Sequence, residues 1–515
     1  MGKNIFKNPV FIVSSITLFF LVIIGAIFPE AFGRVASQLF NFTTTKFGWF
    51  YLLAVFIIIL FLIGLAFSKY GSIRLGGKDE RPEFPFFTWI GMLFSAGFGA
   101  GLVFWGVAEP MSHFFNTPFA GIEAETEQAA RVAMGYSFFH WGISQWSVFA
   151  IVGLVIGFLQ FKKSKDGLVS TALEPVTGKR PGVKHSIDSL AVISTVMGVA
   201  TSIGLGVMQM NGGLTAVFGT NQSITVQMVL ILTVFLAYML SATTGLNKGI
   251  RFLSNLNLGL ALGLLLFVFF TGPTVFILET FTLAIGDYIN SFVSYSLRLE
   301  PYVGGHWVRD WTIFYWAWAI AWSPFVGAFV ARVSKGRTIR EFIFGVMIVP
   351  PLIACLWIAV FGGTALWNDL NQGTQIAQAV DADLTQALFQ TFEHVPFTPV
   401  LNVLAVLLIF TFLITSADSA TYILSSMTSY GSLNPPLVAK IVWGVLVSAI
   451  AAVLLYAGGL EALQTASLIS ALPFTAILLI LIIAIVKLLK RELLPIKKSD
   501  LRRFKRLEKE ANKMD

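Results

Sequence analysis

The chain has 515 residues, 56% of them hydrophobic and 12% charged, with a mean hydropathy of +0.78 and a net charge of +8. That balance excludes a soluble globular protein, and long continuous apolar runs exclude a β-barrel, leaving an all-α polytopic membrane protein. A single cysteine, Cys355, excludes an intramolecular disulfide and makes redox chemistry a poor reading.

Apolar stretches long enough to cross a bilayer, about 20 residues each, lie near 9–31, 48–68, 86–107, 131–160, 187–212, 225–243, 251–273, 309–332, 341–364, 397–427, 435–457 and 464–488. The sequence thus predicts twelve transmembrane helices. The first follows a basic start, Met1–Lys7, but has no small-residue cleavage site, so it reads as a spanning helix and not as a removed signal peptide.

The third span contains Gly97-Phe98-Gly99-Ala100-Gly101, then Gly106 and the pair Glu109-Pro110. Alternate glycines are costly in a continuous helix. They fit a helix that is interrupted so that its backbone faces a ligand, as in many secondary transporters. The other reading is close helix packing by small residues. The fourth span carries His140, Trp141, Trp146 and Phe149, whose three rings form an aromatic face. His140 reads as a hydrogen-bonded structural residue before it reads as a proton relay. The fifth span adds Thr195, Thr201 and Ser202 ahead of Gly204 and Gly206.

Between the seventh and eighth spans, Phe281–Pro301 is too polar to cross and too apolar for a free loop, which predicts an amphipathic helix on the outer surface. The eighth span then holds a dense tryptophan run: five of the thirteen tryptophans fall between Trp307 and Trp322. Trp311, Tyr315, Trp318 and Trp322 are spaced four, three and four, so they share one helical face. Stacked rings facing a protein interior suit a cation that cannot donate hydrogen bonds, such as a quaternary ammonium. An aromatic helix-packing face is the alternative.

In the tenth span, Thr415-Ser416-Ala417-Asp418-Ser419 interrupts hydrophobic sequence. Hydroxyls and backbone carbonyls are sodium ligands that a half-unwound helix supplies, and Asp418 at membrane depth is a functional candidate by default. Alternatively, the hydroxyls bond back to their own helix. The chain ends on a basic tail, since eleven of its 35 Lys and Arg lie in Lys487–Asp515; this points to anionic lipid and not to nucleic acid.

Basic connections (Lys69, Arg74, Lys78 and Arg81; Lys162 to Lys184; Lys248 and Arg251; Lys335, Arg337 and Arg340) alternate with connections that are acidic or poor in base, so both termini are expected in the cytoplasm. The chain has no HExxH, CxxC, P-loop or G-x-S-x-G, so neither an enzyme nor a cofactor is expected.

Together, the glycine motif with Glu109-Pro110, the Phe139-His140-Trp141 start of the fourth aromatic face, and the run from Trp311 to Phe342 resemble the betaine/choline/carnitine transporter family over nearly the whole chain, most of all its glycine betaine (OpuD-type) branch. The resemblance implies a LeuT-type 5+5 inverted repeat preceded by two N-terminal helices. The expected units are 1–85, a first repeat at 86–273, an external amphipathic helix at 274–308, a second repeat at 309–488 and a basic cytoplasmic tail at 489–515. It implies a substrate cage of Trp141, Trp146, Phe149, Trp318 and Trp322, with the substrate carboxylate meeting the backbone of Gly97, Gly99 and Gly101. It also implies a coupling sodium held by the Thr415 and Ser416 hydroxyls and the carbonyls of Ser95, Phe98 and Phe412. A homotrimer is a further implication.

Four positions depart from the family's habit: Ala319 where a second tryptophan is common, Phe149 where a tyrosine is familiar, Val199 where a hydroxyl would support a second sodium, and Gly101 where choline carriers tend to be acidic. The expected function is sodium-coupled import of glycine betaine or a related zwitterionic osmolyte across a bacterial plasma membrane. The alternatives are a proton-coupled symporter or sodium-independent exchanger of choline, carnitine or another compatible solute and, from another class, a membrane receptor, sensor or membrane-embedded enzyme.

Overall fold

The computed structural model describes residues 5–77, 80–97, 99–244, 247–302 and 304–492. Its secondary structure is helical, with no strand among the described residues. The basic tail from residue 493 onward lies outside them.

The chain opens with α1 (Pro9–Ile27), which starts cleanly because Asn8 accepts a hydrogen bond from Val10 N and Pro9 occupies the first turn, where no N–H is needed. It is followed by α2 (Pro29–Phe67), α3 (Phe86–Gly97), α4 (Ala100–Phe115), α5 (Glu127–Trp141), α6 (Ile143–Gly157), the short α7 (Val169–Thr177) and α8 (Pro181–Phe218). Next come α9 (Ile224–Thr244), α10 (Asn247–Thr271) and α11 (Thr274–Ser296). A π-turn at Arg309–Ile313 leads into α12 (Phe314–Val333). Then α13 (Ile339–Gln372) begins on a capping box in which Thr338 and Glu341 satisfy each other's backbone N–H. Short α14 (Ile376–Ala382) and α15 (Ala387–Phe392) precede α16 (Thr398–Met427) and the long α17 (Leu437–Leu489).

Among the described residues, ten helices are long and apolar enough to cross a membrane, against twelve stretches expected. Two local features account for the difference. The third stretch is split between Gly97 and Ala100 into two helices, each shorter than a full crossing. The eleventh and twelfth stretches run together as α17, which bends at Gly458 and Gly459 without an intervening loop. Gly459 has φ 57°, a left-handed conformation that costs glycine little. The stretch expected to lie on the surface is α11, which packs along α5 and α13.

The core lies where α6, α8 and α12 meet. In the most apolar window of Glu127–Lys162, 94% of residues are buried, and in that of Arg309–Val333, 83%, against 28% for Pro9–Ile27. An inner ring of helices is therefore wrapped by outer ones whose apolar side chains, such as Phe19, Phe20, Phe270 and Ile289, face outward. At the centre, α6 and α12 approach closely enough that a Cβ on Gly153 would sit 2.9 Å from the Gly327 carbonyl oxygen.

Two connectors are sewn together on one face. Arg74 and Thr338 form an antiparallel bridge, with Leu75 N donating to Arg337 O (2.8 Å), Gly336 N to Leu75 O (2.7 Å) and Ile339 N to Ile73 O (2.8 Å). Arg337 also donates to Phe84 O and lies over the Trp89 ring, 4.5 Å from its centroid.

Candidate functional site

A cavity of about 50 Å³ lies where α4, α5, α6, α8, α12 and α16 converge. Its aromatic walls are Trp141, Trp146 and Phe149 on one side and Trp318 and Trp322 on the other. The rings stand mostly at right angles: Trp141 to Trp318 at 6.2 Å and 88°, and Trp146 to Phe149 at 5.2 Å and 87°. Trp318 is set by Phe314, which stacks on it at 5.8 Å, and by its own N–H, which donates to Ser202 Oγ at 3.2 Å. Several ring faces around one space are the arrangement that attracts a poorly hydrated cation.

The start of α4 closes one side. Gly99, Ala100, Gly101 and Leu102 line the cavity, with Gly99 extended as the N-cap. The first N–H groups of a helix have no partner within it, and its N-terminus carries partial positive charge, so this wall suits a carboxylate. Gly97 ends α3. Gly101 is required by close approach: a Cβ there would lie 2.5 Å from Trp318 Cη2.

Not every ring of the predicted face points at the cavity. Trp311 and Tyr315 continue the stack beyond Trp318, but Trp311 packs edge-on against His113, 4.4 Å between ring centroids, and Tyr315 bonds Glu109. This carboxylate is fully buried and accepts from Trp141 Nε1 (2.9 Å) and the Tyr315 hydroxyl (2.5 Å). It also pairs with His140 Nδ1 at 2.6 Å, while His140 Nε2 meets Thr312 Oγ1 at 2.9 Å. His113 Nε2 lies 3.4 Å from the same carboxylate. Ligand atoms of Glu109, His113 and His140 fall within 4.8 Å of one another, but both His140 nitrogens are already engaged, so the cluster is a hydrogen-bonded network. The sequence signal was an ionisable residue within a span; its partners lie 31, 32 and 206 positions away, beyond reach of local pattern.

The expected sodium ligands are only partly brought together. Ser416 lines the cavity. Thr415 Oγ1 donates to Thr411 O and Phe412 O (both 3.1 Å) and accepts from Asn257 Nδ2 at 3.1 Å. Ser95 lies in α3 with its side chain outside the described set, and Phe98 is outside the described residues. The expected half-unwound helix is absent: α16 is continuous from Thr398 to Met427, because its hydroxyls bond back to their own carbonyls and leave the ladder intact. Asp418 accepts from Ser241 Oγ at 2.7 Å, tying α16 to α9.

A family model described as "BCCT, betaine/carnitine/choline family transporter" matches residues 9–494. The chain belongs to this family. It is 64% identical to the ectoine/hydroxyectoine transporter of Virgibacillus pantothenticus over 95% of this chain and 98% of that one. It is 48% identical to the glycine betaine transporter OpuD of Bacillus subtilis, covering 93% and 94%. A probable glycine betaine transporter of Desulfitobacterium hafniense is 42% identical, covering 96% and 99%. The family and these relatives are transporters and not enzymes.

Three of the four departures from the family pattern sit in this cavity wall beside Gly101: Phe149, Val199 and Ala319. Ala319 follows Trp318 in the chain and lines the cavity with a methyl group in place of a ring. Gln145 also lines the cavity, and the sequence reading passed over it. Its signal was a lone amide beside Trp146 in an otherwise apolar run.

Proposed function

We propose that this transporter imports a zwitterionic compatible solute, a glycine betaine-like or ectoine-like molecule, across a bacterial plasma membrane by sodium symport. The observation that carries the reading is the cavity itself, with five aromatic side chains on two walls and a helix N-terminus on a third. Rings hold the cationic end through their negative faces, while the α4 N-terminus meets the carboxylate. The uncharged Gly101 position favours a zwitterion over a bare cation such as choline. The relatives' named substrates, glycine betaine and ectoine, support the same class.

On this reading the chain crosses the membrane twelve times, with two helices ahead of two inverted five-helix repeats and both termini in the cytoplasm. The split α3/α4 pair and the bent α17 each account for one of the two extra crossings. Sodium binds beside Ser416, Thr415 and the Phe412 carbonyl, and sodium and solute favour the same closed conformation, which couples them. The protein assembles as a homotrimer, and its basic tail meets anionic lipid.

The test is uptake of radiolabelled solute by the full chain in proteoliposomes. Uptake should accumulate solute against a gradient and collapse when potassium replaces sodium. Undiminished uptake in potassium would overturn the sodium assignment and turn attention to the Glu109–His140 network as a proton site. Absence of accumulation would favour a sensor that binds without transporting.

A further inference from the structure

Polar atoms around the cavity divide into those the protein pairs and those it leaves free. Trp141 spends its N–H on Glu109, and Trp318 spends its N–H on Ser202. Two atoms in residues of the wall have no partner among the described residues: Trp322 Nε1 and Gln145 Oε1, both buried. Gln145 is 7% exposed, so water has little access to it. A buried donor or acceptor left unpaired is unfavourable, and native proteins retain few of them. One donor and one acceptor left free in the same cavity describe the complement of a ligand.

We infer that Gln145 selects a zwitterion whose cationic group carries N–H, a cyclic amidinium carboxylate, over one whose nitrogen is fully methylated. This rests on the reading of the cavity as the solute site. An amidinium N–H donates to Gln145 Oε1, and a carboxylate oxygen accepts from Trp322 Nε1. A trimethylammonium carboxylate can satisfy Trp322, but it has no hydrogen to give Gln145 and leaves that oxygen desolvated and unpaired. A site built to bond a substrate N–H discriminates strongly against the analogue that lacks it.

The shape of the wall agrees. An amidinium is flat and delocalised, so it stacks face-on against an indole, as a guanidinium does. A tetrahedral ammonium gains instead from being surrounded by rings. At Ala319 the wall carries a methyl group and no ring, so one fewer aromatic face is available to enclose three methyl groups.

The experiment compares binding of ectoine and glycine betaine to the purified full-length protein, in wild type, Gln145→Met and Gln145→Glu. The wild type should prefer ectoine. Gln145→Met, similar in size but with no strong acceptor, should reduce the ectoine-to-betaine preference about tenfold or more, the effect of one hydrogen bond to a charged group. Gln145→Glu, which keeps an acceptor, should retain the preference. A second arm needs no variant: N-methylation of the amidinium should weaken ectoine binding to the wild type by a similar factor. An unchanged preference in Gln145→Met, or indifference to N-methylation, would overturn the inference while leaving the cavity as a zwitterion site. Failure of both ligands to bind the wild type would instead remove the reading beneath it.

Discussion

Two polar regions share Trp141 and differ in how they are finished. Around Glu109 the carboxylate, two hydroxyls, an imidazole and an indole N–H engage one another. On the cavity side of the same tryptophan, Trp322 Nε1 and Gln145 Oε1 have no partner among the described residues. In the first region Glu109, His140, Trp141 and Tyr315 satisfy one another without a ligand, although both ring nitrogens of the adjacent His113 make no hydrogen bond among the described residues. Its role is positioning, because it orients Trp141 and Tyr315 from behind. The second region is incomplete and waits for something to bind. Both regions are buried, so what distinguishes the Glu109, Trp141 and Tyr315 groups from Trp322 and Gln145 is the hydrogen bonds they make and not their burial.

The largest effect expected from breaking this contrast comes from Glu109→Ala. It removes the acceptor of Trp141, Tyr315 and His140 together, at about 1–3 kcal/mol for each donor left unpaired. Thermal unfolding of the purified protein should fall steeply; an unchanged transition would mean that the network does not hold the wall. Trp322→Ala acts on the contact surface and should weaken solute affinity about tenfold, from a cation–π loss of about 1–2 kcal/mol, with a much smaller change in unfolding temperature. Equal losses of affinity and stability in both variants would erase the distinction between the regions. Gly101→Ala should cost about 1–3 kcal/mol of stability and weaken solute affinity several-fold, because the added methyl overpacks against a Trp318 indole held by Phe314 and Ser202.

The smallest effect lies outside the membrane, at Glu174 on α7, which bridges Lys165 (3.0 Å) and Lys184 (2.7 Å). Partial burial pushes its carboxyl up, but the hydrogen bonds and charges of Lys184 and Lys165 outweigh that and hold it below its ordinary 4.5. A lowered folded-state value means that the contribution to stability is complete above the ordinary glutamate range and is lost as pH falls through the lowered value. Wild type should therefore unfold slightly later than Glu174→Gln at neutral pH, and the two should converge in acid. A gap that persisted in acid would assign the effect to something other than charge.

Much of this arrangement could be read from residue type and spacing. Trp141, Trp146, Phe149, Trp318 and Trp322 all line the cavity, because large rings placed on one helical face within a span have few places to go besides a shared interior. The break at Gly97–Ala100 follows from glycine's cost in a helix. Spacing alone did not separate Trp311 and Tyr315 from the cavity rings: they share the face, yet Tyr315 turns to Glu109 and Trp311 packs on His113, both on another helix. At Thr415 spacing could not tell that the hydroxyl supplements the helix bonds and does not replace them. The fusion of the last two stretches into α17 was hidden because two adjacent glycines bend the chain without any loop composition to mark it. Gln145 was missed because an unpaired atom is defined by all its neighbours, which no local window contains.

The seam between the connectors at Ile73–Leu75 and Lys335–Ile339 is made chiefly of main-chain atoms. Its strength belongs to backbone geometry, so drift in side-chain identity along these connectors can alter their surface while barely touching their grip. Such a fastener is nearly blind to mutation. Descendants of this chain could retune what their cavity accepts, residue by residue, while inheriting the same clasp on this face.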